Sequence, residues 1–404
     1  MVLLLLLCHV AGSVWLGWSH WRGPLGNWDI VPYTALALAG PEQDPARLTE
    51  ATHAALRGYL SEPLYRDAVG ASRPDDAYLA AMRDSPDAFA DNLRFYEIKP
   101  LYVTLARAAT RLGANPAAAA VAVSAVALAL FMIVFPFGFR FALPAAAGLW
   151  LLLFASAPPL HAVGAIASPD ALALMLAVPA AWCMVRGAAW LPTAVLALLA
   201  VLARPDTAFL LGPLLAGLAW QGRRGARDRS IGRLVLMAAM AGLFLVLGLK
   251  ALPWATLFHH SFIERLNQPS NWHGAVSAAE YLAVVERTLP GVLTPRLLAA
   301  LVGATLLCCG RAASEPGLVT VRWLVAAAVL NILAHHAVFP ADEFGHERLF
   351  LPSYLSLWVA ALMRFEAWRG GSGSGLDLGL GTGTGTRADP PHRGHRPGRA
   401  RPAA

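Results

Sequence analysis

The sequence predicts an all-α, polytopic helical membrane protein of about ten transmembrane helices, and three observations carry that expectation. Hydrophobic residues make up 57% of the chain and charged residues only 14%, against roughly 25% charged in soluble globular proteins. The mean hydropathy is +0.52. Apolar runs of about 17–25 residues, long enough to cross a bilayer core as helix, recur along the chain.

Residues 1–20, MVLLLLLCHVAGSVWLGWSH, are the first such run. No Lys or Arg precedes it, and Leu7 before Cys8 is not the small residue of a lipoprotein cleavage site. It reads as an uncleaved first span rather than a signal peptide. The segment 21–115 then reads as a long first extracytoplasmic loop. Of the 25 acidic residues, 12 fall between 21 and 99. SRPDD at 72–76 and DSPD at 84–87 each place a cap residue before proline and acid in a first turn, so two or three short surface helices are expected there. PLYVTLARAATRLG, 100–113, is too short to span and carries Arg107 and Arg111 four residues apart. It reads as an amphipathic helix in the outer interface.

Further apolar runs lie at 116–138, 142–161, 170–185, 190–203, 206–220, 232–252, 291–309, 318–338 and 349–363. The basic loop GRRGARDR, 222–229, is expected in the cytoplasm, and counting outward from it places both termini there as well. The segment 21–115, the SPD turn at 168–170, Arg204, the loop 254–290 and PADEFGHER at 340–348 then share the opposite face. Residues 1–365 form one transmembrane domain on this reading. The tail 366–404 is Gly-, Thr-, Pro- and Arg-rich and is expected to be disordered and cytoplasmic. The net charge of +7 does not mark a nucleic-acid binder, because the arginines sit at the ends of apolar runs and in the tail. Cys8, Cys183, Cys308 and Cys309 lie in or beside apolar runs, with neither disulfide nor metal-ligand spacing.

Charges at the edges of the apolar runs are the candidates for chemistry. Asp29, in NWDIVPY beside Trp28 and Tyr33, reads either as a helix cap among interfacial aromatics or as a functional acid. In FYEIKPLY, 95–102, the chain places Lys99 beside Glu97, although it holds 30 arginines and only one other lysine, Lys250. An ammonium suits a phosphate as a point charge, where arginine would impose its planar fork. The alternative is a Glu97–Lys99 surface pair. Asp170, in IASPDALALML, has the grammar of a helix start, with Ser168 as cap and Pro169 at the first position. RPDT at 204–207 repeats that grammar and adds Arg204, a cation between short spans that is costly unless it faces a polar cavity. Arg348, in GHERLFLP, stands at the mouth of the last span, where a snorkelling arginine is the plain alternative. His346 lies in the same segment. His335, His336, His346, Glu343, Glu347, His259 and His260 invite a divalent metal but match no HExxH or comparable spacing. No cofactor is required by these patterns, and a metal is the one candidate. Ionisable groups gathered on one side of a membrane point to a functional site there.

These segments resemble the type C superfamily of integral membrane glycosyltransferases, whose members include lipid A aminoarabinose transferases and protein mannosyltransferases. NWDIVPY resembles the early aspartate after a first span, and FYEIKPLYVTLARAATRLG the re-entry that follows the surface helices. SPDALALML, LARPDTAFLL and ERLFLPSY resemble the later acid and the later cations. The chain departs from the larger members in having no soluble domain after the last span, and it has Lys-Pro-Leu where the re-entry motif has Lys-Pro-Pro. The resemblance implies a multi-pass protein of the plasma (inner) membrane whose active face is extracytoplasmic. It implies inverting transfer of a sugar from a polyprenyl-phosphate donor to a lipid, glycan or protein acceptor. Asp29 would serve as base, with Asp170 the second catalytic acid. Lys99, Arg204 and Arg348 would bind the phosphate, alongside Tyr33, Glu97 and His346 as further substrate-binding candidates. A transporter or flippase of a lipid-linked precursor, or a non-catalytic protein that binds lipid phosphate, fits the same charges less well. Transporters place their polar groups near the midplane, and here they lie at one face.

Overall fold

The computed structural model describes residues 2–40, 44–138, 158–222, 227–292, 295–309, 316–340 and 343–370, and their regular structure is all helical, with no strand among them. The expected run at 142–161 as far as residue 157, the centre of the basic loop at 223–226 and the tail beyond 370 lie outside the described residues.

Helix α1 (Val2–Arg22) leads to α2 (Ile30–Leu38), which is followed by α3 (Pro45–Arg57), α4 (Glu62–Ala68), α5 (Ala77–Asp84), α6 (Pro86–Asn92) and α7 (Arg94–Glu97). The first loop therefore holds more helices than the two or three expected, because several of its turns are short. One of the two expected starts is as read. Ser85 caps α6, its Oγ accepting from the Ala88 amide at 3.4 Å, with Pro86 at the first position. At SRPDD the start shifts: Pro74 lies in a turn, and Asp76 caps α5 by accepting from the Leu79 amide at 3.1 Å. Helix α2 is a second departure. Its sequence, IVPYTALAL, is apolar on every side, and a helix hydrophobic all round belongs inside a structure. Eight of its nine residues are buried.

Helix α8 (Pro100–Arg111) packs on α2 with Tyr102, Val103 and Ala106 buried, while Leu105 and Leu112 stay exposed. That is the amphipathic helix read from the sequence. Arg107 uses its Nε to donate to the Leu36 carbonyl at 2.7 Å, which satisfies one of the last carbonyls of α2. Helix α9 (Pro116–Gly138) is the central post, touched by α1, α2, α8, α10 (Pro158–Ala165) and α11 (Asp170–Arg186). α1 crosses it closely at Gly17, where a Cβ would lie 2.9 Å from that of Ala129. Small residues at such crossings let helix backbones approach in a membrane, where lipid removes the hydrophobic drive for association.

The second half comprises α12 (Trp190–Ala203), α13 (Ala208–Gly222), α14 (Arg227–Lys250), α15 (Trp254–Phe258), α16 (Ala278–Val292), α17 (Pro295–Cys309), α18 (Pro316–Val338) and α19 (Glu343–Gly370). Among the described residues, three segments are long and apolar enough to cross a membrane: Pro116–Phe135, Ser230–Lys250 and Val319–Val338. Trp190–Ala203 is a shorter apolar helix. Most of the Ser230–Lys250 surface is unburied, with Val235, Leu245 and Leu249 exposed. Exposed leucine and valine on a long helix are stable against lipid. These features mark a membrane protein.

α13 and α18 meet where Gly217 faces Trp323, and a Cβ at Gly217 would overlap the indole ring. Gly217→Ala is expected to destabilise the bundle by about 1–3 kcal/mol through overpacking. A thermal-unfolding midpoint in detergent equal to that of the native chain would show that the two helices are free to separate.

Candidate functional site

The charged residues singled out in the sequence come from helix ends that converge. Asp29 stands immediately before α2, at the N-cap position, yet its side chain makes no capping hydrogen bond. The carboxylate turns away from the helix. Its Oδ2 accepts from Arg348 Nη1 at 2.7 Å and from Asn27 Nδ2 at 3.1 Å, and its Oδ1 faces the Tyr96 hydroxyl at 3.5 Å. Burial first, and then the charge of Asp29, push the Tyr96 phenol well above its usual range, so it remains a donor. The capping alternative for Asp29 is not the arrangement found.

Asp170 is the first residue of α11 and is only 7% exposed. Its Oδ2 accepts from Ser168 Oγ at 2.9 Å and lies 3.7 Å from Arg348 Nη1, while its Oδ1 pairs with Arg204 Nη1. Ser168 does not cap the helix. Instead the SPD turn is pinned to α9. Ser124 Oγ donates to the Ser168 carbonyl at 2.8 Å, and the hydroxyl of Tyr102 on α8 donates to the Ala120 carbonyl at 2.7 Å beside it.

Arg204 ends α12 with an extended backbone and enters the short 3₁₀ turn Pro205–Thr207. Its Nε donates to both oxygens of Asp206 at 2.9 Å, so the guanidinium is held between two carboxylates. Asp206 in turn meets His335 Nε2 at 2.6 Å, and His335 sits near the end of α18. Asn331, one turn earlier, donates to Ser353 Oγ at 2.7 Å and ties α18 to α19. Asp170, Arg204, Asp206, Asn331, His335 and Arg348 line a cavity of about 10 Å³, room for about one water.

Lys99 is the N-cap residue of α8, and its Nζ donates to the Phe95 carbonyl at 2.8 Å and lies 5.1 Å above the Tyr96 ring. Burial chiefly holds its pKa down at about 8, the positive charge of Arg204 lowers it as well, and Asp29, Asp206 and Asp170 act in the opposite direction. The Glu97–Lys99 surface pair does not form: Glu97 is exposed at the end of α7 and contributes nothing to the cluster. Tyr33 is 2% exposed and packs edge-on against Tyr96 and Tyr102, at centroid distances of 5.2 and 4.7 Å. It forms part of the packing behind Asp29. His346 is in α19, but its side chain lies outside the described residues.

The other histidines have different work. His260 Nδ1 accepts from the Leu266 amide at 3.0 Å, and its ring lies against Phe95 and Tyr78. His259 stacks on Trp272 at 4.5 Å. These contacts, with Arg265 paired to Asp76 at 3.0 Å and the Ser270 amide donating to Asp91 at 2.8 Å, fasten the segment after α15 onto the first loop. Among the described residues no three His, Cys, Asp or Glu side chains form a group that could hold a metal.

Asp206 and His335 were not singled out as partners in the sequence, where Asp206 looked like first-turn grammar and His335 was one of the histidines that invite a metal. The arrangement that results alternates charge: Asp29, Arg348, Asp170, Arg204, Asp206, with Lys99 alongside. Buried ion pairs of this kind contribute little net stability. Three carboxylates and three cations at convergent helix ends can accept a proton and bind an anion in the same place. Compared with known proteins, the chain matches no family model, no curated protein and no solved structure.

Proposed function

We propose that the chain is a membrane glycosyltransferase that moves a sugar from a polyprenyl-phosphate donor to an extracytoplasmic acceptor with inversion at the anomeric carbon. The observation that carries this reading is the meeting of Asp29, Asp170, Arg204 and Arg348, from four separate helix ends, with Lys99 nearby. Asp29 takes the proton from the acceptor hydroxyl or amine as that atom bonds to the anomeric carbon. The bond from that carbon to the phosphate oxygen breaks, and its electron pair leaves with the phosphate. Lys99 and Arg348 stabilise the charge that develops there. Arg204, already shared by Asp170 and Asp206, serves chiefly to hold Asp170 in place.

Incubating the purified protein with a radiolabelled polyprenyl-phosphate sugar and a lipid acceptor extract tests the reading. Donor-dependent label in the acceptor, with release of polyprenyl phosphate, is the expected result. Binding without transfer would leave only a lipid-phosphate binder, and movement of the intact donor between leaflets would leave a flippase.

The reading carries a topology of ten crossings in the plasma membrane with both termini cytoplasmic, residues 30–98 and 340–348 facing out, and the 222–229 loop facing in. With native cysteines replaced, a cysteine at Ala226 is expected to resist an impermeant maleimide in intact cells, and one at Ser72 to react. Labelling at 226 would reverse the orientation.

A further inference from the structure

The Asp29–Arg348 contact raises a difficulty for any base at this position. A carboxylate engaged by a guanidinium at 2.7 Å, with Asn27 and Tyr96 also donating to it, has its lone pairs occupied. The same Arg348 is the cation best placed to take a ligand phosphate. Its side chain is one-third exposed, whereas that of Arg204 is 13% exposed and already spans two aspartates. Both of Arg348's close partners are reached through one atom, Nη1. A phosphate that takes up the guanidinium edge with two parallel hydrogen bonds would compete directly with Asp29 for that atom. Asp170 keeps Arg204 whichever partner Arg348 holds.

We infer that Asp29 and a ligand phosphate compete for Arg348, so that the phosphate of the incoming lipid releases the base. This rests on the function proposed above and adds to it an order of events. Without donor, Asp29 is held by Arg348 and the acceptor is not deprotonated. With donor, the guanidinium turns to the phosphate, and Asp29 is left with Asn27 and Tyr96 as weaker partners. The arrangement prevents Asp29 from acting on bound acceptor before a sugar is present to receive it. It also gives Arg348 two roles, latch and phosphate ligand, which a single substitution removes together.

The inference has a consequence opposite in sign to that of an ordinary binding-site change. Removing the charge of Asp29 frees Arg348, so the variant binds lipid phosphate more tightly than the native chain. The test measures equilibrium binding of a labelled polyprenyl monophosphate carrying no sugar to the purified full chain in nanodiscs. Asp29→Asn is expected to bind about tenfold more tightly, the factor for one lost charge-assisted competitor. Asp29→Glu, which keeps the charge, is expected to stay close to native. Asp206→Asn removes the same charge from the cluster without touching Arg348, and its gain is expected to be small. Equal gains in the Asp29→Asn and Asp206→Asn variants would reduce the effect to general charge and overturn the competition. So would binding by the native chain with no gain in Asp29→Asn. Absence of binding by every variant removes the lipid-phosphate reading itself, and the competition with it. Modification of Asp29 in the native chain by a hydrophobic carbodiimide, read by peptide mass, needs no substitution. It is expected to rise several-fold on adding the lipid phosphate, and an unchanged extent with lipid bound overturns the latch.

Discussion

Asp29→Asn is expected to lower sugar transfer by about 10²–10⁴-fold, the range for removing a positioned general base, while lipid-phosphate binding tightens as argued above. The substitution keeps the shape of the side chain and an oxygen that accepts from Arg348, Asn27 or Tyr96, the partners Asp29 has in the native chain. Folding should therefore survive it. What is lost is the ability to take a proton. Asp170→Asn provides the comparison. That carboxylate is buried between Arg204 and Arg348 and bonded by Ser168, so its loss should disturb the position of both arginines and raise the KM for donor along with lowering kcat. A fall in kcat without a rise in donor KM at Asp29, against a fall in kcat with a raised KM at Asp170, would separate the base from the residue that positions its partners. Near-native turnover in Asp29→Asn would make Asp29 a structural anchor for Arg348 and remove the mechanism.

Four members of the cluster were legible in the sequence for one physical reason. Asp29, Asp170, Arg204 and Arg348 each stand at the edge of an apolar run, where a charge is costly to hold without a partner. A side chain that breaks the local rule is visible without knowing what it touches. Asp206 and His335 obeyed local rules. Asp206 follows a proline as first-turn aspartates do, and His335 lies inside an apolar helix next to a second histidine. Their pairing joins positions 129 residues apart, and no spacing rule spans that distance. Tyr33 and Glu97, singled out in the same stretches, do not join the ion-pair cluster. Both lie close to residues of the cluster in sequence, but closeness along the chain does not decide which way a side chain is packed. Tyr33 points into the core, and Glu97 into solvent.

The fold divides in the same manner. The all-helical class follows from composition, and the amphipathic helix at 100–111 from the spacing of its arginines and apolar residues. Helix α2 was missed because nine apolar residues are too few to read as a span and too uniform to show a face. Its burial comes from α3, α8 and α9 closing around it, a tertiary event that no local window contains.

The second large effect concerns the cations. Lys99→Ala and Arg348→Ala are each expected to weaken polyprenyl-phosphate binding by about one to two orders of magnitude, the cost of roughly 1.5–3 kcal/mol for a charge-assisted hydrogen bond to phosphate. Arg348→Ala is expected to have the larger effect on transfer, because a guanidinium edge can meet the phosphate with two hydrogen bonds and Arg348 also lies 3.7 Å from Asp170. Lys99 adds a pH signature. Its pKa is held at about 8 by burial, with Arg204 contributing. The folded value lies below that of a free lysine, so the ammonium is present below about 8 in the ligand-free chain and is lost as pH rises through that value. Phosphate affinity should fall across the same window. Bound phosphate favours the charged form, so the ammonium is lost at higher pH in the complex, and affinity falls from about 8 until that higher value is passed. Lys99→Arg removes the titration, since arginine stays charged, but restores affinity only in part because a planar fork does not replace a point donor on a fitted path. The measurement is lipid-phosphate binding against pH for the native chain, Lys99→Arg and Lys99→Ala. A native curve flat from about pH 7 to about pH 9.5, well past the titration window of a lysine lowered by burial, would show that Lys99 does not hold the phosphate. If both arms of the clamp are real, the double variant Lys99→Ala/Arg348→Ala should lose less than the product of the two single losses. Two groups that hold one phosphate depend on each other for its position, and such couplings are commonly about 0.5–3 kcal/mol between residues that share a partner. Strict multiplication of the single losses would place the two cations on different ligands.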